Sequence, residues 1–150
     1  MNYIFKTVLS KLGPYNKYNI LAFIPLGFCA GLPLPLIGAT MSARLMDSGL
    51  SLTSIGLFAL AGTPYALKFL WSPLIDTIKI PFLNTLVGKR RSWLLLTQII
   101  LFILFFIIST IDPIEDLYML AVLVCSAAFI SATQDIALDA YRIELHPDKD

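Results

Sequence analysis

The chain has 150 residues, of which 57% are hydrophobic and only 14% charged, with a formal net charge of +1 and a mean hydropathy of +0.79. Ordinary soluble domains carry about 25% charged residues, so this composition excludes a soluble globular domain and predicts an integral membrane protein. A balance this close to neutral, with no basic cluster beyond one short loop, also excludes nucleic acid as a partner. Cys29 and Cys125 both fall inside apolar runs, without the paired spacing of a metal or redox motif. No cleaved signal peptide is expected, since Phe28 stands where a small residue would be needed before Cys29.

Residues 1–17 carry Lys6, Lys11 and Lys17 without an acid and are broken by Gly13-Pro14, which predicts a short basic lead held in the cytoplasm. The first span is expected over about 18–42. Pro25, Pro33 and Pro35 should kink it, because each removes a backbone donor. Irregular backbone at that depth is tolerated only against protein or beside a cavity. Gly27 and Gly31 form a GxxxG, read here as a helix-packing device.

A loop with Arg44 and Asp47 leads to a second span over about 53–75, with Ser51 or Thr53 as its cap. Within it lie Tyr65 and Lys68, and the ammonium must either snorkel to the interface or meet a carboxylate. Residues 76–92 form the most basic loop, with Lys79, Lys89, Arg90 and Arg91 against Asp76 and with Gly88 as a breaker. The third span, about 93–111, is free of charge. Its Thr97 and Gln98 could hydrogen-bond across helices. Asp112, Pro113, Glu115 and Asp116 make an acidic turn whose proline and acids suit the first turn of a fourth helix over about 114–145, stopped by His146-Pro147. The lead and the 76–92 loop together hold seven of the eleven Lys and Arg residues, which places both chain ends in the cytoplasm.

The fourth helix carries the most informative pattern. Leu117 to Thr133 is uncharged for seventeen residues, and then Gln134, Asp135, Asp139 and Arg142 follow. Asp135 and Asp139 are four apart and Asp139 and Arg142 three apart, so these three share one helix face. An ionised side chain facing hydrocarbon costs several kcal/mol by order of magnitude, so that face belongs to a cavity or a partner helix. It is either a static ion-pair set or a proton and substrate site. Lys68 and Asp135 lie at similar depth, about eight and ten residues from the cytoplasmic ends of their helices at ~1.5 Å each, so a pair between them is sterically reasonable. Burial favours a neutral carboxyl and a nearby cation a charged one, which leaves Asp135 and Asp139 poised to switch. Arg142 and Lys68 are then their countercharges, and Gln134 and Tyr65 the polar cavity lining. No phosphate loop, histidine pair or catalytic triad is present, and no metal or cofactor is expected.

The segments GLPLPLIG, SIGLFALAGTPYALKFLWSPLID, GKRRSWLLLTQ and SATQDIALDAYRIE, taken in order from Gly31 to Glu144, resemble the amino-terminal part of AmpG-type muropeptide permeases. These are a branch of the major facilitator superfamily and are similar to the acetyl-coenzyme A transporters. Asp76 followed by GKRR resembles the superfamily signature between the second and third helices, with a longer run from Thr77 to Gly88 than the common form. The resemblance implies an all-α membrane fold, the N-terminal part of a six-helix bundle. It also implies proton-coupled uptake of muropeptides across the inner membrane, and a cytoplasmic latch of Asp76, Gly88, Lys89, Arg90 and Arg91.

Such permeases have two six-helix halves, and this chain ends just after its fourth helix. It is therefore expected to insert but not to transport without further helices or other copies. A non-transporting fragment or a small membrane assembly subunit is the competing reading. A membrane prenyltransferase is a third, because DIALD is a DxxxD of the kind that holds Mg²⁺. The second acidic motif it needs is missing, since Asp112, Glu115 and Asp116 lie at the other membrane face.

Overall fold

Why the apolar runs do not all become straight helices is decided by their prolines. The computed structural model describes residues 18–81 and 83–145; the basic lead with Lys6, Lys11 and Lys17 and the His146-Pro147 stop lie outside the described residues. Among the described residues every regular element is helical: α1 (Tyr18–Gly31), α2 (Pro33–Pro35), α3 (Met41–Asp47), α4 (Leu52–Phe58), α5 (Thr63–Leu67), α6 (Ser72–Thr77), α7 (Leu83–Val87), α8 (Lys89–Thr110) and α9 (Leu117–Leu145).

The first rod continues past its expected end at 42 to Asp47. Pro33 and Pro35 cannot donate, yet the ladder resumes with Leu32 N–H to the Phe28 carbonyl at 3.0 Å and Leu36 N–H to the Leu32 carbonyl at 3.3 Å. The chain takes up the mismatch in a π-helical turn over Leu36–Thr40. The rod ends where Gly49 adopts φ 78°, with Gly49 N–H on the Met46 carbonyl (2.9 Å) and Leu50 N–H on the Leu45 carbonyl (3.2 Å). This double closure needs a left-handed residue, which is why glycine stands there.

Among the described residues three helices are long and apolar enough to cross a membrane: Ile24–Asp47, Lys89–Thr110 and Leu117–Glu144. The expected second span is not one continuous helix. Ser51 caps it, its side chain accepting from Ser54 N–H at 3.2 Å, but the 52–77 stretch is cut into α4, α5 and α6 by 3₁₀ turns at Ala59–Gly62 and Lys68–Leu70. Pro64 and Pro73 cause the breaks by withholding the donors that the carbonyls of Leu60 and Phe69 would otherwise accept. Those carbonyls are served by the hydroxyl of the residue before each proline: Thr63 Oγ1 to Leu60 O at 2.6 Å and Ser72 Oγ to Phe69 O at 3.3 Å. A broken rod is thereby kept free of stranded acceptors at those two positions.

The third helix also departs from expectation. Gly88, at φ 87°, starts α8 directly, so Lys89, Arg90 and Arg91 are its first turn and not a loop. Thr97 bonds back to the carbonyls of Trp93 (2.8 Å) and Leu94 (3.1 Å) within its own helix, not across to a neighbour. In the acidic turn, Asp112 Oδ1 accepts Ile114 N–H at 2.8 Å and the helix begins only at Leu117, so Pro113, Glu115 and Asp116 precede it instead of forming its first turn.

The long α9 touches the first rod, the broken 52–77 stretch from its Ala59–Gly62 turn onward, and α8. Forty-four per cent of its most apolar window is buried, against 22% for each of the other two crossing helices. The reason is residue size. Ala127, Ala128, Ser131, Ala132 and Ala137 are fully buried, and small side chains let helix backbones approach where lipid offers no hydrophobic drive to pack. Around them Ile37, Met41, Leu45, Leu101, Ile108, Leu120 and Val124 close the main core. Among the described residues Gly27 and Gly31 do not act as a packing motif: a Cβ on either would meet none of them within 4 Å.

Two polar ties fix the ends of this bundle. At one end Arg44 of α3 donates to the carbonyls of Ile108 (2.7 Å) and Ile111 (2.5 Å), capping the C-terminus of α8 where a cation also suits the helix dipole. At the other end the basic first turn of α8 meets Asp76 and Glu144.

Candidate functional site

The charged cluster on α9 becomes a site because the first rod leaves space beside it. An open cavity of about 320 Å³ is walled by Gly27, Ala30, Gly31 and Leu34 of the first rod, Tyr65 of α5, and Asp135, Leu138, Asp139 and Arg142 of α9. The two glycines, one turn apart and without side chains, provide its floor. Positions 135, 138, 139 and 142 follow the helical period, which brings them to one wall.

Lys68 reaches this wall from the 3₁₀ turn that follows α5. Its ammonium lies 3.8 Å from Asp135 Oδ2 and 3.9 Å from Asp139 Oδ2. The lysine therefore meets carboxylates rather than snorkelling away from them. At these separations both are ion pairs without a close hydrogen bond, whose usual N···O distance is about 2.7–2.9 Å, so each oxygen retains freedom to take a proton or another donor. The side chains are 36% (Lys68), 28% (Asp135) and 60% (Asp139) exposed, which opens the pair of carboxylates to the cavity.

Two expected roles change. Arg142 lines the cavity but forms no ion pair with Asp135 or Asp139 among the described residues; Lys68 alone serves both. Gln134 is 1% exposed and does not line the cavity. One residue of helix rotation, about 100°, turns it from the wall into the packing beside Asp135. Its Oε1 and the Ser131 Oγ are buried without a hydrogen-bond partner among the described residues. The Tyr65 hydroxyl lies beside Ser131, also without a well-formed bond, so among the described residues three buried polar atoms at the cavity wall stand unsatisfied.

The basic end gathers the expected latch residues within this chain. Arg90 Nη1 is 2.6 Å from Asp76 Oδ1 and its Nε 2.8 Å from Glu144 Oε1, while Lys89 donates to the Asp76 carbonyl. Arg91 Nε donates to the Tyr141 hydroxyl at 3.0 Å, with the guanidinium 5.7 Å from the ring centre. Gly88 supplies the left-handed start and its carbonyl accepts Ser92 Oγ at 2.6 Å. These contacts tie the second, third and fourth rods at one end. Glu144 and Tyr141 join the cluster although the sequence pattern singles out neither; both lie one turn or less from Arg142. Thr133 is a further addition: its hydroxyl accepts Trp71 Nε1 at 3.2 Å, and the Trp71 ring sits 4.6 Å from that of Phe129, which secures the break before α6.

Among the described residues no group of three or more His, Cys, Asp or Glu side chains is placed to hold a metal.

Comparison with known proteins places the chain among its relatives. The model of the family described as acetyl-coenzyme A transporter 1 matches residues 19–149. The anhydromuropeptide permease of Escherichia coli K12 is 42% identical over 122 residues, covering 81% of this chain and 24% of that protein. A Rickettsia prowazekii protein that carries the AmpG 3 name is 41% identical over 130 residues, covering 87% of this chain and 31% of that protein. A Haemophilus influenzae protein is 44% identical over 133 residues, 89% of this chain and 30% of its own length. The chain thus spans less than a third of the length of these relatives, and the named ones are transporters rather than enzymes. With its membrane-crossing helices and a family match that runs almost from end to end, the chain is a multi-pass membrane protein segment that belongs to the acetyl-coenzyme A transporter family.

Proposed function

We propose that residues 18–145 form the N-terminal part of a proton-coupled permease bundle that carries muropeptide-type substrates across the inner membrane. In this reading the first rod, the broken 52–77 rod, α8 and α9 are four spans of a major-facilitator-type six-helix bundle, with both chain ends cytoplasmic. Asp135 and Asp139 bind and release the coupling proton, Lys68 neutralises whichever carboxylate is charged, and Tyr65 lines the route. The cluster of Asp76, Gly88, Lys89, Arg90 and Arg91 forms the cytoplasmic latch. Remaining helices of the longer protein, or other copies, complete the second half of the pathway.

The single observation that carries the reading is Lys68 standing 3.8 and 3.9 Å from two carboxylates on the wall of an open cavity. Asp135 and Asp139 line this cavity, and ionised carboxylates within a membrane-spanning helix are functional by default because hydrocarbon penalises them. The 42% identity to an anhydromuropeptide permease supports the substrate class.

The test is a chimera in which residues 18–145 replace the matching stretch of the Escherichia coli permease, expressed in cells lacking the native protein. It should accumulate radiolabelled anhydromuropeptide under an inward proton gradient, and Asp139→Asn should abolish accumulation while leaving the protein in the membrane. Undiminished gradient-driven accumulation by the Asp135→Asn, Asp139→Asn double variant would remove these carboxylates from the coupling path.

A further inference from the structure

The cavity holds a cation that the proton-coupling scheme leaves unused. Lys68 is engaged by both carboxylates, and Arg142, which lines the cavity, has no ion pair among the described residues. Arg142 is exposed, three residues beyond Asp139 and so about 4.5 Å further along the helix axis. A fork of five fixed donors that faces a cavity and finds no carboxylate among the described residues is suited to accept one from a ligand.

The charge layout sets the ligand's direction. Asp135 and Asp139 repel an anion from their part of the wall, whereas Arg142 attracts one at its end, so a ligand carboxylate is held at one position only. Across from them, Gly27 and Gly31 present backbone without side chains, and a Cβ at either position would meet no described residue within 4 Å. Glycine there is not required by packing. Its effect is to leave volume beside Arg142 that no described residue fills, and Leu34, Ala30 and Leu138 give that volume an apolar side. A volume of about 320 Å³ suits one end of a drug-sized solute rather than the whole of it, since complete ligand sites run from about 300 to 1,000 Å³.

We propose that Arg142 is the anchor for a carboxylate of the transported solute, and that the Gly27–Gly31 floor fixes how bulky the carboxylate-bearing end can be. This rests on the transport reading above and narrows its substrate class to anionic solutes with a terminal carboxylate. Selection of cargo then belongs to Arg142 and the glycine floor, and proton coupling to Asp135, Asp139 and Lys68.

The test uses the full 150-residue chain in lipid nanodiscs and phenylglyoxal, which modifies free guanidinium groups, with mass spectrometry reading each arginine separately. Arg44 and Arg90, which are held by carbonyls or carboxylates, serve as internal references. An anhydromuropeptide with free peptide carboxylates should slow modification of Arg142 at least fivefold and leave the references unchanged. The same compound with its carboxylates converted to amides should give no protection. Gly31→Leu should abolish protection without altering the unliganded modification rate. In the chimera, Arg142→Gln should raise KM for uptake at least tenfold and leave proton dependence intact, with Arg142→Lys intermediate.

Equal protection by the acid and amide forms, or no protection by the acid form and none by N-acetylglutamate, would overturn the assignment. Protection by N-acetylglutamate and not by the muropeptide would leave Arg142 as a carboxylate anchor and refute the muropeptide reading instead.

Discussion

Replacing Lys68 with Met removes the cation that, among the described residues, pairs with both carboxylates, and the cost can be worked from the distances. At an effective dielectric of about 20, each attraction at 3.8 or 3.9 Å is on the order of 4 kcal/mol. Asp135 and Asp139, one turn apart, repel by about 3 kcal/mol at a separation of roughly 6 Å. Water reaches the trio, since Lys68 is 36% and Asp139 60% exposed, so only part of this balance is felt as stability. We expect Lys68→Met to destabilise the chain by about 2 kcal/mol and Asp135→Asn by about 1 kcal/mol. The double variant should lose about 1 kcal/mol less than their sum, because the second change removes a charge that the first had stranded. The assay is equilibrium unfolding of the four proteins of this cycle in mixed micelles, followed by the fluorescence of Trp71 and Trp93. Losses that add to within about 0.3–0.5 kcal/mol would show that Lys68 and Asp135 are not coupled.

The basic-end cluster predicts a second coupling. Arg90→Gln should cost about 2 kcal/mol, since the side chain is only 13% exposed and makes two charge-assisted hydrogen bonds to half-exposed partners. The loss should shrink by about half when Glu144→Gln is already present, and an unchanged loss would deny Glu144 its place in the cluster. Topology is checked by single cysteines in a background lacking Cys29 and Cys125. Positions 47 and 114 should react with an impermeant maleimide from outside intact cells and position 85 only after permeabilisation; labelling of position 85 from outside would reverse the orientation proposed from the Lys and Arg asymmetry.

Much of the architecture is legible along the chain because membranes simplify the code. Hydrocarbon forces backbone bonds to be met locally, so apolar runs translate into helices, and the uncharged stretch ahead of Gln134 is enough to mark α9. The same physics makes its charges conspicuous: Asp135 and Asp139 could not face lipid, and a partner at the depth of Lys68 follows from helix rise alone. Ser51 as a cap is readable for the same local reason.

What the sequence could not decide is anything that depends on which neighbour fills a given space. GxxxG at Gly27 has the same letters whether a helix packs on it or a cavity opens above it, and only the placement of α9 resolves this in favour of the cavity. Arg142 and Lys68 are equivalent as countercharges until the 3₁₀ turn after α5 brings Lys68 to both carboxylates. Gln134 differs from Asp135 by one step of helix rotation, and its burial follows from the side on which the small residues of α9 meet their partners. Pro64 and Pro73 are plain in the sequence, but whether they end a rod or only segment it depends on Thr63, Ser72 and the Trp71–Thr133 contact. Local bonding along the chain therefore determines where helices form and which charges are costly, and long-range packing alone determines which of those charges pair with one another.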